Sequence, residues 1–456
     1  RERPWQAPIN PAEGLWYRGL ICKGFQQTSD GVIEVIYIPD DVLALLPPPG
    51  PPPAPPALPP QTPPPHVRPA EAHIVEDVFS ALVYCRNHPV WLRAGGKLSS
   101  KDLAAVNRLL VQPVPADRLH RDQRLALVMR LCLAAELCWV ERQRLILNRD
   151  RARAWLHAAA DQQLLVLQRA WLDDAQWNEL AQLPSLKINM VGWQNDPRLA
   201  RRAVLRVLSG CQPGAWYSLD DLVAAIRAED PDFQRPDGDY STWQITDLNG
   251  RPLTDFSHWD EVEGALIRYL VTHALYWLGV CDLGCQGPDE AAYAFRLRQD
   301  ISRLISSEVP ESAERLTAAD EVSAPGVEVD EDFTVRVPLA ANRYERFQLA
   351  RFASFVRREQ EWAIYRITSA SLDIAGRQGL TAQQLAAFLA RIAPRCPSKV
   401  LEALRQGRAG HSPARLERVF IVRAERPELL AQLRADPEIA PLLDESLGPQ
   451  AAIVPQ

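Results

Sequence analysis

Between residues 70 and about 156 the apolar positions switch repeatedly between helical and extended spacing. The spacing predicts a helix over 74–86, a short extended piece over 90–92, a turn at Gly95-Gly96, helices over 100–110 and 121–137, and a last extended stretch over 139–147. Asn148-Arg149-Asp150 follows that stretch and is expected to form the tip of a wing. Three helices closed by a β-hairpin describe a winged helix. The plan recurs further along. A helix over 196–208 stops at Gly210, a second opens on Ser218 as N-cap with Leu219, Leu222, Val223 and Ile226 on one face, and a third spans 259–273. It delivers the chain into Trp277-Leu278-Gly279-Val280, with a return strand over 293–297. The junction Leu137-Cys138-Trp139-Val140 matches Leu275-Tyr276-Trp277-Leu278, so the two stretches read as divergent copies of one module.

In the last third, Phe333, Val335 and Val337 alternate with polar residues as in a half-buried strand, and Leu349, Phe352, Ala353 and Val356 have the spacing of a helix face. Thr368 is the expected N-cap of a helix that stops at Gly379. Thr381 and Gln384 form a capping-box pair in front of Leu385, Phe388, Leu389 and Ile392. A helix around 400–404, a strand over 419–422 and a helix opened by Pro427 complete a compact α+β domain.

The fold class expected for the whole is mainly α with small β-hairpins. Its parts are the tail of an upstream unit (1–46), a proline-rich linker (47–69), a first winged-helix-like domain (70–158), a helical connector (159–195), a second winged-helix-like domain (196–305), an acidic linker (306–326) and the α+β domain (327–445). Residues 47–65 hold 13 prolines in 19 positions, which favours a stiff polyproline II spacer, with a docking site for a proline-binding module as the other reading.

Composition alters this picture little. The 456 residues are 47% apolar and 24% charged, as in a globular multidomain protein, and the formal charge of −6 means any nucleic acid must be met by a local basic patch. The longest apolar run, 125–140, is broken by Arg130 and Glu136 and is too short to span a membrane. Eight scattered cysteines inside apolar patterns point to buried thiols in a reducing, cytoplasmic setting. The sequence opens on Arg1 and not on methionine, so an upstream part is expected.

The stretches YRITSASLDIAGRQGLTAQQLAAFLARIAPRCPSKVLEAL (365–404) and RVFIVRAERPELLAQLRADPEI (418–439) resemble the N-terminal domain of the XPB/Ssl family of helicases, and the related clutch domain of the TFIIH subunit that holds XPB. The resemblance covers roughly residues 325–445. It implies a helicase-associated protein that docks a protein partner, a helicase or another ATPase acting on DNA, with Tyr365, Arg366, Thr368 and Phe388 as the docking residues. It does not carry ATP hydrolysis with it. A phosphate loop needs glycines ahead of Lys and Ser/Thr, whereas Gly96-Lys97 is followed by Leu98 and has no upstream glycine at the required spacing.

Other candidates are weaker. Arg118, His120, Arg121 and Arg124 open the first module's third helix, and Arg142, Arg144, Arg149, Arg151 and Arg153 are expected on its wing. They form either a DNA-contacting surface, as in a regulator, or a salt-bridged solvent face. In the second module Asp260, Glu261, Glu263, Asp282, Asp289 and Glu290 would repel phosphate, so a docking or structural role is expected. Cys281 and Cys285 with His273 fall short of the four ligands of a closed zinc site. Trp216, Tyr217, Trp243, Trp259 and Tyr276 read as core. His258 near Asp255 and Asp260 carries no nucleophile signature. No catalytic, metal or cofactor residues and no small-molecule substrate are expected.

Overall fold

The computed structural model describes residues 11–28, 31–46, 54–70, 73–93, 98–111, 118–235, 238–298, 301–305, 326–409, 420–436, 439, 443 and 446–454. The chain forms two compact units, Arg1–Pro325 with Pro338–Arg351, and Gly326–Val337 with Phe352–Gln456. The acidic stretch 306–325 and the Gly95-Gly96 turn lie outside the described residues. Among the described residues no helix is long and apolar enough to cross a membrane.

The first unit opens with α1 (Pro11–Tyr17), the antiparallel hairpin β1 (Cys22–Thr28) and β2 (Gly31–Tyr37), and α2 (Asp40–Leu45). The proline-rich stretch leads to β3 (His66–Arg68). Next come α3 (His73–Asn87), β4 (Val90–Trp91), α4 (Ser100–Asn107), α5 (Arg118–Ala134), β5 (Cys138–Glu141) and β6 (Arg144–Leu147). The sheet runs β4-β6-β5 with antiparallel pairs, which is the winged-helix arrangement of a helix, an edge strand, two helices and a hairpin. The turn between β5 and β6 is Arg142-Gln143, with φ of 47° and 65°, the paired left-handed residues a tight hairpin requires. The predicted tip at 148–150 is therefore corrected. Asn148 caps α6 (Arg149–His157), accepting the Arg151 N–H at 3.3 Å, so Arg149, Arg151 and Arg153 sit on a helix and not on the wing.

After α7 (Ala160–Asp173) and β7 (Leu186–Asn189), the same order returns in α8 (Pro197–Leu208), β8 (Trp216–Ser218) and α9 (Leu219–Glu229). An insertion carries β9 (Gln244–Asp247), which pairs with β7. The third helix covers residues 260–275, with π-helical turns on both sides of α10 (Ala265–Tyr269). β10 (Cys281–Cys285), β11 (Ala292–Leu297) and α11 (Ser302–Ile305) follow. Ser218 caps α9 by accepting the N–H groups of Asp220 and Asp221.

One continuous apolar core joins both modules through α7 and α8. Inside it Arg201 is fully buried and uses all five of its N–H groups. Nε and Nη2 donate to the Glu179 carboxylate at 2.9–3.2 Å, Nη1 to the carbonyls of Trp171 and Asp174 at 2.5 and 2.6 Å, and Nη2 also to that of Trp177. Trp171 Nε1 closes the cluster on Glu179 at 2.7 Å.

The proline-rich stretch is a strap and not a free spacer where it is described. Leu58 is buried, the Gln61 N–H donates to Trp216 O at 2.8 Å, and β3 adds antiparallel to β10, giving the sheet order β3-β10-β11-β8. Pro64 lies so close to Gly284 that a Cβ there would meet its ring at 2.6 Å.

The second unit contains β12 (Glu328–Val329) and β13 (Thr334–Pro338). The next helix, α12 (Arg343–Leu349), belongs to the first unit. There Arg343 and Arg346 reach Glu76 of α3 at 2.8 and 2.9 Å. The second unit resumes with β14 (Ser354–Glu359), β15 (Trp362–Arg366), α13 (Ser369–Arg377), α14 (Ala382–Ile392), α15 (Ser398–Arg405), β16 (Phe420–Arg423), α16 (Pro427–Ala435), β17 (Ser446–Gly448) and β18 (Ala451–Val454). The helix expected through Leu349 and Val356 is corrected. Its four positions span the end of α12, a turn and the start of β14, and Val356 is exposed. Phe333 also leaves the strand, with φ of 68° in the turn before β13. The sheets run β12-β13-β15-β14 and β16-β18-β17. Two capping boxes, Thr368 with Ser371 and Thr381 with Gln384, start α13 and α14, each worth about 1 kcal/mol, and Gly379 with φ of 79° lets the chain turn between them. The mixed α and β content, with small antiparallel sheets, is the fold class expected.

Two outcomes follow. Gly284→Ala should lift the strap and cost roughly 1–3 kcal/mol, seen as denaturant unfolding at lower midpoint and faster proteolysis at 54–70; unchanged proteolysis would mean Pro64 does not hold the strap. Glu179→Ala strands a buried guanidinium and should cost about 3–5 kcal/mol, and a loss below about 1 kcal/mol would refute the role given to the pair.

Candidate docking and nucleic-acid surfaces

The first module's basic residues do not form one surface. Arg118 and Arg121 fall in the first turn of α5, where side chains lie outside the described residues. Arg124 is buried, its Nη2 2.6 Å from Asp77 Oδ2, and Asp77 Oδ1 accepts the Val111 N–H at 2.7 Å. A guanidinium held inside the core cannot meet a phosphate, so Arg124 is removed from the candidate DNA residues. Arg151 pairs with Glu136 at 3.2 Å, and Arg153 stands over the Tyr344 ring. Arg142, Arg144 and Arg149 are exposed, and among the described residues no carboxylate pairs with them. Burial, and then the nearby Arg149 charge, lower the Arg86 pKa.

The second module's acidic residues are largely answered from within. Asp260 pairs with Arg227 at 2.8 Å and Glu261 with Arg251. Glu263 is buried against Arg235 at 2.6 Å, with Arg235 stacked 3.9 Å from the Trp243 ring centroid, so it does not face solvent. Trp216, Tyr217, Trp243 and Trp259 are buried and Tyr276 is half-buried. Cys281 and Cys285 are buried thiols, the second receiving Arg68 Nε and Nη2 at 3.0 and 2.7 Å. Among the described residues no group of three or more His, Cys, Asp or Glu could hold a metal. His258 lies 3.0 Å from Glu261, but the Ser257 hydroxyl donates to Asp255 and not to the imidazole, so no nucleophile–base contact exists there.

In the second unit, Arg366 is the docking candidate that reaches solvent. Tyr365 is core, edge-on to Phe355 at 5.7 Å, and Thr368 is spent in its capping box. Phe388 is half-buried, edge-on to Phe352, with Arg391 over its ring at 5.2 Å. Arg366 lines a recess of about 270 Å³ over the exposed face of the larger sheet. β15 ends where β13 begins, with the Ile367 N–H on Phe333 O at 3.0 Å, so Thr334, Arg336 and Arg366 share that face, and Val356 and Arg357 of β14 complete the wall. The left-handed turn at Phe333 places Asp332 to accept the Thr334 N–H and hydroxyl at 3.0 Å and the Arg366 guanidinium. Arg336 reaches Asp330 at 3.2 Å. The recess therefore offers fixed, alternating charge beside exposed Val356. Alternation of Thr334 with Arg336 was the only trace of it in the sequence, since strand pairing is not written locally.

Residues 327–447 match the family model described as the helicase conserved C-terminal domain. No curated protein matches the chain. The match supports a helicase-related function for the chain in general terms.

The Asp332 carboxyl is pushed up by partial burial, but its bonds from Thr334 and Arg366 outweigh this and hold it below the usual carboxylate range. Its folded pKa is depressed, so its contribution is present above the unfolded value near 3.9 and lost as pH falls through the folded value. Asp332→Asn should lower second-unit stability at pH 7 and converge on the parent as pH falls through the folded pKa of Asp332, and parallel stability–pH curves would count against this assignment.

Proposed function

We propose that this chain is a non-catalytic, helicase-associated adaptor whose second unit plays the docking role of an XPB-type N-terminal domain. The partner is a protein, a helicase or another ATPase that acts on DNA. One observation carries the reading. The residues that match a helicase family fold into small antiparallel sheets and capped helices, and where a strand does run into a helix, from β15 into α13, the junction Arg366-Ile367-Thr368-Ser369 holds neither the glycines nor the lysine that a phosphate loop needs. What this unit offers is a recess with fixed charges, a surface suited to recognising another protein. A second reading is DNA binding by the first module, favoured by exposed Arg142, Arg144 and Arg149.

The test pairs two measurements on the full chain. ATP turnover should be absent with and without DNA, and affinity capture should recover an ATPase that is lost with Arg366→Glu, a surface change. Turnover by the purified chain would end the non-catalytic reading. Capture of an ATPase undiminished by Arg366→Glu would remove the recess from it.

A further inference from the structure

The two wings carry the same row of residues across their sheets, and only one row is covered. In the second module Trp216 of β8 stands opposite Arg296 of β11, which stands opposite Asp282 of β10. In the first, Trp91 of β4 stands opposite Arg144 of β6, which stands opposite Glu141 of β5. Directly paired residues share a sheet face, so each row lies on one face. The guanidinium is over the indole in both, at 4.8 Å for Arg296 on Trp216 and 6.0 Å for Arg144 on Trp91.

In the second module the row has an occupant, the chain's own proline-rich strap. Gln61 pairs with Trp216 at one edge of the sheet. Gly284, two residues beyond Asp282 and on the same face, lies under the Pro64 ring. The Ala70 N–H donates to Asp282 Oδ1 at 2.8 Å, and Arg296 holds the other oxygen at 2.5 Å. Trp216 is consequently 4% exposed. In the first module Trp91 is 55% exposed, Trp139 on the same face is 47% exposed, and among the described residues Arg144 and Glu141 form no ion pair. Two half-exposed indoles on one small sheet face, with Arg144 and Glu141 on the same face, form an apolar patch with charges beside it.

We propose that the outer face of the first wing docks an extended, proline-rich segment of a protein partner, laid across Trp91, Arg144 and Glu141 as residues 61–70 lie across Trp216, Arg296 and Asp282. The inference deepens the adaptor reading by giving the partner's chemistry. A polyproline strand is pre-extended, loses little entropy on docking and presents flat rings to an indole, while Glu141 is placed to accept a backbone N–H as Asp282 does.

The test uses a labelled synthetic peptide of residues 54–70 as probe and the full chain, whose second module already holds its tethered strap. Anisotropy should show saturable binding, weakened roughly tenfold or more by Trp91→Ala and largely kept by Trp91→Phe, with a smaller loss for Glu141→Gln. Absence of saturable binding, or binding indifferent to Trp91→Ala, overturns the proposal. Loss of a single-stranded oligonucleotide in these variants, with no peptide bound, assigns the face to nucleic acid and also overturns it. Concentration-dependent dimerisation abolished by Trp91→Ala would assign it to a second copy and do the same. Failure to capture an ATPase would end the adaptor reading while leaving the peptide result standing.

Discussion

Arg201 and Glu179 lie in the middle of the first unit with almost no access to water, and the path of the connector between the two modules depends on them. A guanidinium loses several kcal/mol of hydration on burial, which is recovered only when every N–H finds an acceptor in good geometry. Glu179 supplies two, and the carbonyls of Trp171, Asp174 and Trp177 supply the rest. Those carbonyls are free to point inward because α7 has just ended, so the irregular course of 174–179 follows from the needs of one side chain on α8. The same device recurs. Arg124 on Asp77 ties α5 to α3, Arg235 on Glu263 ties the insertion to the third helix of the second module, and Arg346 on Glu76 ties α12 to α3. Each bond joins elements distant in sequence, which an apolar core alone would leave free to slide.

The divergence of the two modules follows from what each leaves uncovered. Both share helix order, sheet order and a tryptophan–arginine–carboxylate row. In the second, the row, the β10 edge and the carboxylates of Asp260, Glu261, Glu263 and Asp282 are answered inside the chain. In the first, the arginines of the wing and the start of α6 remain in solvent, beside two exposed indoles. Among the described residues, two surfaces left uncovered are the outer face of the first wing and, on the second unit, the recess beside Arg366.

The second unit, whose residues match a helicase family model, presents fixed charge on a small sheet. Its sheets are small, its helices begin with side-chain caps, and its charged side chains are fixed by neighbours: Arg366 by Asp332 and Arg336 by Asp330. Fixed charges lose little entropy when a partner arrives and discriminate by sign, which suits recognition.

Local pattern was enough to read most of the helices, the caps at Ser218, Thr368 and Thr381, and the mixed α and β character with small antiparallel sheets, because helical periodicity and capping are written within a few residues. It misread residues 148–150, since Asn-Arg-Asp serves a turn and a helix N-cap equally well. It also misread 349–356, where the end of a helix and the start of a strand mimic one helical face. Composition named a proline-rich spacer, but whether that spacer floats or binds depends on a glycine more than 200 residues away. In the sequence Arg124 reads like the rest of the basic set, and Asp77 takes it into the core; the recess exists only because β13 and β15 lie side by side. Sequence by itself determined most of the elements and the chemistry of their side chains. Tertiary structure decided which arginines and tryptophans face water, because burial and strand pairing depend on residues far apart in the chain.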